Sequence, residues 1–363
     1  MIEDIISTFM ALSAIDSPSR HEKEAAMDLK KRLEALHFVV QFDAKGNLIA
    51  HVPATEDSKD LKPILFATHL DTVPNVVGVT PQLKHDILQS DKTTALGADD
   101  KAASATLLVA LERLLATDTS HRAITVVSTV EEETGLHGAK ELDMEMVGPF
   151  SEGYVLDASG EVGTAIISAP AKSDATITFI GKEAHAGFAP EEGISAISLA
   201  ASAITKMKLL RIDEDTTANL GLIQGGTATN VVAPKCELTL EVRSSTSEKV
   251  KAHLAHIELC CIKAVGAVGG SYTFEVEELY PGYVIDKNDP LLTRFKQACS
   301  TLNLPFHTKA TGGGSDTNIL HHKGYPVMTV SVGYEHAHSV DESIHVSQLE
   351  KLGRLIMTLA TQK

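Results

Sequence analysis

The sequence predicts an α/β protein: a mainly parallel sheet with helices on both faces, interrupted by a second domain of βαββαβ order. Three observations carry this. Short continuous apolar runs, ILFATHL (64–70), AITVVSTV (123–130) and GYVLDA (153–158), have the length and texture of strands buried on both faces, and helical patterns alternate with them. From about residue 173 the pattern changes to alternating strands around two helices, and after PGY at 281–283 the first pattern resumes. At 363 residues the chain exceeds one ordinary core. The expected division is therefore 1–172 with 284–363 as one discontinuous domain, and 173–283 as the insertion.

Each element has its own signal. The start, MIEDIISTFMALSAIDSPSRHEKE, reads as an amphipathic helix and a capped turn, and 22–36 is helical by period and charge. FVVQF and NLIAHV alternate as a hairpin around Ala44, Lys45 and Gly46. After a loop through Gly97, residues 102–116 place Leu107, Leu108, Leu111, Leu114 and Leu115 on one helical stripe. In the insertion, DATITFIG, NLGLIQGG, CELTLEVRS and SYTFEVEEL read as strands, with helices over 192–210 and 247–266. A helix from Pro290, the loop TGGGSDTN, a strand PVMTVSV and a helix from 346 complete the first domain.

Composition narrows the function classes. No run of eighteen apolar residues is present, so a membrane-spanning helix is not expected, and the N-terminal segment lacks a basic signal-peptide start. A net charge of −16 argues against nucleic acid or anionic membrane as a partner. Four cysteines without CxxC spacing argue against a disulfide framework and for a reduced, cytoplasmic setting.

The informative polar residues follow the buried strands. His69 and Asp71 end ILFATHL-D on one side by alternation, so the carboxylate is placed to orient an imidazole that binds a metal. HxD alone also fits a structural histidine. Asp99 and Asp100 stand between the Gly97 loop and an apolar helix, where an acidic first turn is the alternative. Asp157 ends GYVLDA, where a turn residue is the alternative. His338 lies in YEHAHSVDE after PVMTVSV, where a surface loop is the alternative, with His336 as its neighbour. Taken together, these segments converge at the strand ends of an open sheet. Clustered carboxylates there call for a cation, and imidazole with carboxylate suits zinc, manganese or cobalt.

The motifs THLDT, GADDKAA, EEETGLHGAKEL, YVLDASGEVG, AHAGFAPEEGISAI, GGTATNVV and GGGSDTN followed by HAHSVDE cover nearly the whole chain. In order and spacing they resemble the two-zinc exopeptidases that include peptidase T, carboxypeptidase G and succinyl-diaminopimelate desuccinylase, most of all the peptidase T-like tripeptidases. GADDKAAS departs by carrying alanine where many members have a second glycine after the lysine. The resemblance implies a phosphorylase/hydrolase-like catalytic domain and a ferredoxin-like lid that forms a homodimer. It implies two Zn2+ per subunit, with Co2+ or Mn2+ as substitutes, and hydrolysis of short peptides.

By resemblance His69, Asp99 and Asp157 hold one zinc, and Asp99, Glu133 and His338 the other. Asp99 bridges the two and joins Asp100 through a cis peptide. An aspartate at 157 accompanies aminopeptidase and tripeptidase members. Asp71 orients His69. Glu132 is the general base acting on a two-zinc-activated water, with EETG at 132–135 fitting the family pattern. Strand alternation would instead pair Glu131 with Glu133, a conflict that resolves if the strand ends near Val130. His185 resembles a lid histidine that donates to the transition-state oxyanion, in some relatives from the other subunit; a buried structural histidine is the alternative. Asn230, Arg243, Gly313 and Gly314 resemble substrate contacts, against the alternatives of a strand-end arginine and a plain turn. An N-acyl amino acid deacylase is the second reading on this scaffold, and a non-catalytic binding protein the third.

Overall fold

The computed structural model describes residues 1–117 and 119–362. The chain divides into two compact units, Met1–Ser168 with Val284–Thr311 and Ser315–Lys363, and Ala169–Tyr283 with Gly312–Gly314.

In the first unit the apolar runs become the middle of a nine-stranded mixed sheet. Its spatial order is Val39–Phe42, Leu48–Val52, Ile124–Thr129, Ile64–His69, Glu152–Ala158, Val327–Ser331, Thr164–Ala169 and Tyr283–Val284, with His307–Ala310 beside Thr164–Ala169. The four strands from Ile124–Thr129 to Val327–Ser331 are mutually parallel, and antiparallel neighbours flank them on both sides. Ile64–His69 and Ile124–Thr129 are buried at every position, which is why they read as continuous apolar runs.

Alternate side chains feed two cores. Leu65 and Ala67 join Val127, Val155, Leu142 and Leu320 on one face. On the other, Tyr154 packs between Phe66 and Phe295, with ring centroids 6.2 and 5.9 Å away. The helices Ile2–Ser13, Ala98–Ala116 and Val346–Thr361 pack against one another.

Three parts of this unit differ from the sequence reading. The helix expected over 102–116 begins at Ala98, with non-helical dihedrals at Asp99 and Asp100 and a cis peptide between them. Thr164–Ala169 is a further strand. A separate four-stranded sheet forms from Tyr334–Glu335, Ser343–His345, Ile87–Gln89 and Gln82–Lys84. Strands of two or three residues are too short to show a period of two, so they look like loop in the sequence.

The second unit is a five-stranded antiparallel sheet in the order Leu210–Arg211, Thr217–Gly225, Lys235–Ser244, Ala171–Ile180 and Ser271–Tyr280. Apart from the two-residue Leu210–Arg211, the chain order is βαββαβ with the first and third strands adjacent. Ala171–Ile180 alternates buried and less buried residues, and its inward Ala175, Ile177 and Phe179 meet the helices Ala196–Ile204 and Ser247–Val268. The helix expected over 192–210 is the nine-residue Ala196–Ile204. A β-carbon on Gly193 would lie 2.9 Å from Val232, and Ser195 caps the helix by accepting from Ser198 N–H. The four cysteines are free and buried. No helix among the described residues is long and apolar enough to cross a membrane.

Candidate metal centre

The four parallel strands deliver polar residues at their carboxyl ends. His69 is the last residue of Ile64–His69, and Asp157 lies in the final turn-ward pair of Glu152–Ala158. Glu132 and Glu133 follow Ile124–Thr129, and His338 lies beyond Val327–Ser331. Asp99 comes from the non-helical start of Ala98–Ala116.

Asp99 stands in the middle. Its Oδ1 lies 3.0 Å from His69 Nε2, and that nitrogen is 3.8 Å from Asp157 Oδ1. Its Oδ2 lies 3.4 Å from His338 Nε2, which is 2.9 Å from Glu133 Oε1. The ligand atoms of His69, Asp99 and Asp157 fall within 4.8 Å of one another, as do those of Asp99, Glu133 and His338, and of His69, Glu132 and Glu133. One carboxylate thus serves two groups through different oxygens. His338, rather than His336, carries this contact.

The charges are crowded. Burial and then Asp99 push the Asp157 carboxyl well above the usual range. Burial and then Asp157 do the same for Glu132. Burial raises Asp100 as well, and its Oδ1 has no partner. Asp99 itself is held low: the imidazoles of His338 and His69 outweigh its burial. Asp99 and Glu133 raise His338 to about 10. Buried carboxylates packed this closely repel one another and call for a compensating cation. Imidazole and carboxylate donors in two groups of three fit two divalent ions, and no thiolate takes part.

The glutamate run separates cleanly. The strand stops at Thr129, and Glu131 takes φ +52°, so period-2 alternation ends before Glu132. Glu131 turns away to Lys45 at 2.9 Å and Arg20 at 3.5 Å. Glu132 is 8% exposed and faces the cluster with Glu133.

Asp71 sits differently from the expected imidazole–carboxylate pair. His69 Nδ1 faces the Asp71 backbone oxygen at 2.9 Å and its carboxylate only at 3.5 Å. The carboxylate instead accepts from the backbone N–H groups of Glu132 and Glu133, at 2.9 and 3.1 Å, and from Ser19 Oγ at 2.7 Å. Asp71 thus holds the turn that carries Glu132 and Glu133 as well as the imidazole.

The remaining expected residues belong to the second unit. His185 is exposed rather than buried; its Nδ1 accepts from Gly187 N–H at 3.1 Å and its ring lies 4.3 Å from Phe188. Asn230 is beside it, its backbone oxygen accepting from Ala186 N–H at 3.0 Å. Arg243 pairs with Glu241 at 3.1 Å and donates to the Gly312 oxygen at 3.0 Å, which ties it to the tract containing Gly313 and Gly314. A β-carbon on Gly314 would lie 2.5 Å from the Tyr280 ring, so any larger residue there would displace that ring.

Sequence reasoning missed several supports. Tyr334 Oη donates to Asp157 Oδ1 at 3.3 Å, Thr129 donates to the buried Asp316, and Glu342 accepts from the loop before Asp99. Glu342 lies in the quoted HAHSVDE motif. Nothing local in the sequence marks Tyr334 or Thr129.

The chain combines a parallel-sheet unit that carries a shared-carboxylate cluster at its strand ends with a separate βαββαβ unit, and the family models that match it are those of peptidases. Residues 172–266 match the peptidase dimerisation domain, and 47–199 match peptidase family M28. Aminopeptidase PepT of Bacillus cereus superposes with a TM-score of 0.89 at 37% identity, over 99% of this chain and 98% of that one. A tripeptidase of Staphylococcus aureus gives 0.93 at 35%, over 99% and 98%. The uncharacterized protein YqjE of Bacillus subtilis is 37% identical over 98% of this chain and 97% of its own. The chain belongs to the peptidase T-like family.

Proposed function

We propose that this protein is a metal-dependent exopeptidase acting on short peptides as a tripeptidase or aminopeptidase. The observation that carries the reading is Asp99, whose two oxygens face two imidazole–carboxylate groups. His69, Asp99 and Asp157 would hold one divalent ion, and Asp99, Glu133 and His338 a second, with zinc favoured and cobalt or manganese as substitutes. Such a pair supplies Lewis acidity toward a peptide carbonyl and lowers the pKa of water.

The chain's own residues do the rest. Glu132, beside the cluster and unpaired with any cation of the protein surface, takes a proton from the attacking water and returns it to the leaving amine. Asp71 holds the Glu132–Glu133 backbone in place through its two N–H bonds. His185 accepts at Nδ1 from Gly187, so a neutral ring carries its proton on Nε2 and can donate to a developing oxyanion. Arg243 and Asn230, with Gly313 and Gly314, are assigned to substrate contact. Three of the five N–H donors of Arg243 are engaged by Glu241 and the Gly312 oxygen, so it also shapes the glycine tract. A homodimer through residues 173–283 is favoured by the dimerisation-domain match, and buried free thiols fit a cytoplasmic, reducing setting.

Chelator-treated protein reloaded with zinc, cobalt or manganese, assayed on tripeptides, dipeptides and N-acyl amino acids, tests the reading. Metal-restored cleavage of tripeptides from the amino end is expected. Turnover confined to N-acyl amino acids would replace it with a deacylase, and undiminished activity after complete metal removal would overturn it.

A further inference from the structure

We propose that Glu342 is a positioning residue that sets Asp99 at the junction of the two ligand groups. This rests on the metal reading above, but assigns a part to a residue outside the ligand set.

Glu342 is 1% exposed. Its Oε2 accepts from the backbone N–H groups of Leu96 and Gly97, each at 2.9 Å, and its Oε1 from Asp99 N–H at 3.1 Å. Three donors from one four-residue stretch therefore converge on a single buried carboxylate. The stretch has little other means of holding that shape. Gly97 has φ +72°, and a β-carbon there would lie 2.7 Å from Val76 Cγ1. Asp99 and Asp100 have non-helical dihedrals, so the helix's own ladder begins only after them.

The placement of Glu342 matters as much as its bonds. It follows His338 by four residues, and Ser343–His345 pairs with Ile87–Gln89 and with Tyr334–Glu335. Asn75 donates to the His338 backbone oxygen at 2.9 Å, and its own backbone oxygen accepts from Ala95 N–H at 3.1 Å. The segment that supplies His338 is thus bonded, through Glu342, to the backbone that supplies Asp99. Displacing either end changes the distance between Asp99 Oδ2 and His338 Nε2.

The chemistry selects a carboxylate. A glutamine has the same shape but only one acceptor oxygen; its NH2 group would face an N–H donor. Glu342→Gln therefore sets donor against donor, while Glu342→Asp keeps the acceptors on a shorter arm. Altered support of this kind costs about 10–100-fold in metal affinity.

The experiment measures zinc binding to the full-length protein by competition with a chromophoric chelator, together with thermal unfolding and kcat and KM on a tripeptide. Glu342→Gln is expected to bind zinc about 10–100-fold more weakly, with KM little changed at saturating zinc, and Glu342→Asp to recover part of the affinity. Glu152→Gln, which breaks the buried pair with Arg122 elsewhere in the unit, serves as control: it should lower the unfolding temperature and leave zinc affinity unmoved. If folded Glu342→Gln binds two zinc ions as tightly as the parent, or if it differs from Glu152→Gln in no respect, the proposal falls. A parent protein that binds fewer than two zinc ions would overturn the metal reading itself, and this proposal with it.

Discussion

Glu131, Glu132 and Glu133 are identical in chemistry and separated in role by one backbone dihedral. Glu131 leaves with its charge matched by Lys45 and Arg20, and Lys45 holds its carboxyl below the usual range. Glu132 is buried at the cluster, and among the described residues no lysine or arginine pairs with it. Glu132→Gln should therefore lower kcat by about 10²–10⁴-fold while zinc stoichiometry is retained. Glu131→Gln should change kcat by less than tenfold. Steady-state kinetics with metal analysis on both variants checks this; equal losses would mean that the base is misassigned. The ligand-type residues were legible in the sequence because each follows a buried strand. The bonds of Asp71 were not, because whether its carboxylate meets a ring nitrogen or two backbone N–H groups depends on where the next strand's turn lies.

Among the elements, the turn after Ile124–Thr129 carries Glu132 and Glu133, and its shape depends on Gly138. A β-carbon there would lie 2.3 Å from the Val130 oxygen and 2.6 Å from Asn47 Oδ1. Gly138 N–H donates to that same Val130 oxygen at 2.9 Å, and Asn47 Nδ2 donates to the Gly138 oxygen at 3.0 Å. Both offending atoms are held by these bonds and cannot retreat cheaply. Gly138→Ala should destabilise the protein by on the order of 1–3 kcal/mol and reduce activity together with stability. Denaturant unfolding monitored beside activity reads both; an unchanged midpoint would show that the turn relaxes. Long buried strands and the βαββαβ order could be read from periodicity. The four-stranded sheet at 82–89 and 334–345 could not, since its strands span two or three residues and are specified by pairing partners far away in sequence.

For the molecule as a whole, the buried thiols set a limit on alkaline stability. Burial raises Cys261, in the second unit, from 9.0 to about 12, and Cys299, in the first, from 9.0 to about 11. Between those values and 9.0 the folded state keeps protons that the unfolded chain releases, so stability falls as pH rises. The contribution is complete below pH 9 and disappears as pH climbs through 11 and 12, on the order of 3 kcal/mol per thiol. Unfolding free energies measured from pH 8 to 11 should decline, and Cys299→Ala should flatten part of the slope. An unchanged slope would show that this thiol does not contribute.

The left-handed turn at Glu131 also has a meaning for how this protein can change. A strand counts side chains in twos, and one residue at φ +52° resets the count before Glu132 and Glu133. That position must admit a left-handed backbone turn, and the length of the segment sets which side chains follow it. Losing Glu131 would carry Glu133 into the place of Glu132 and put Thr134 where Glu133 now stands. That deletion would change which side chains face the cluster even though two glutamates remained.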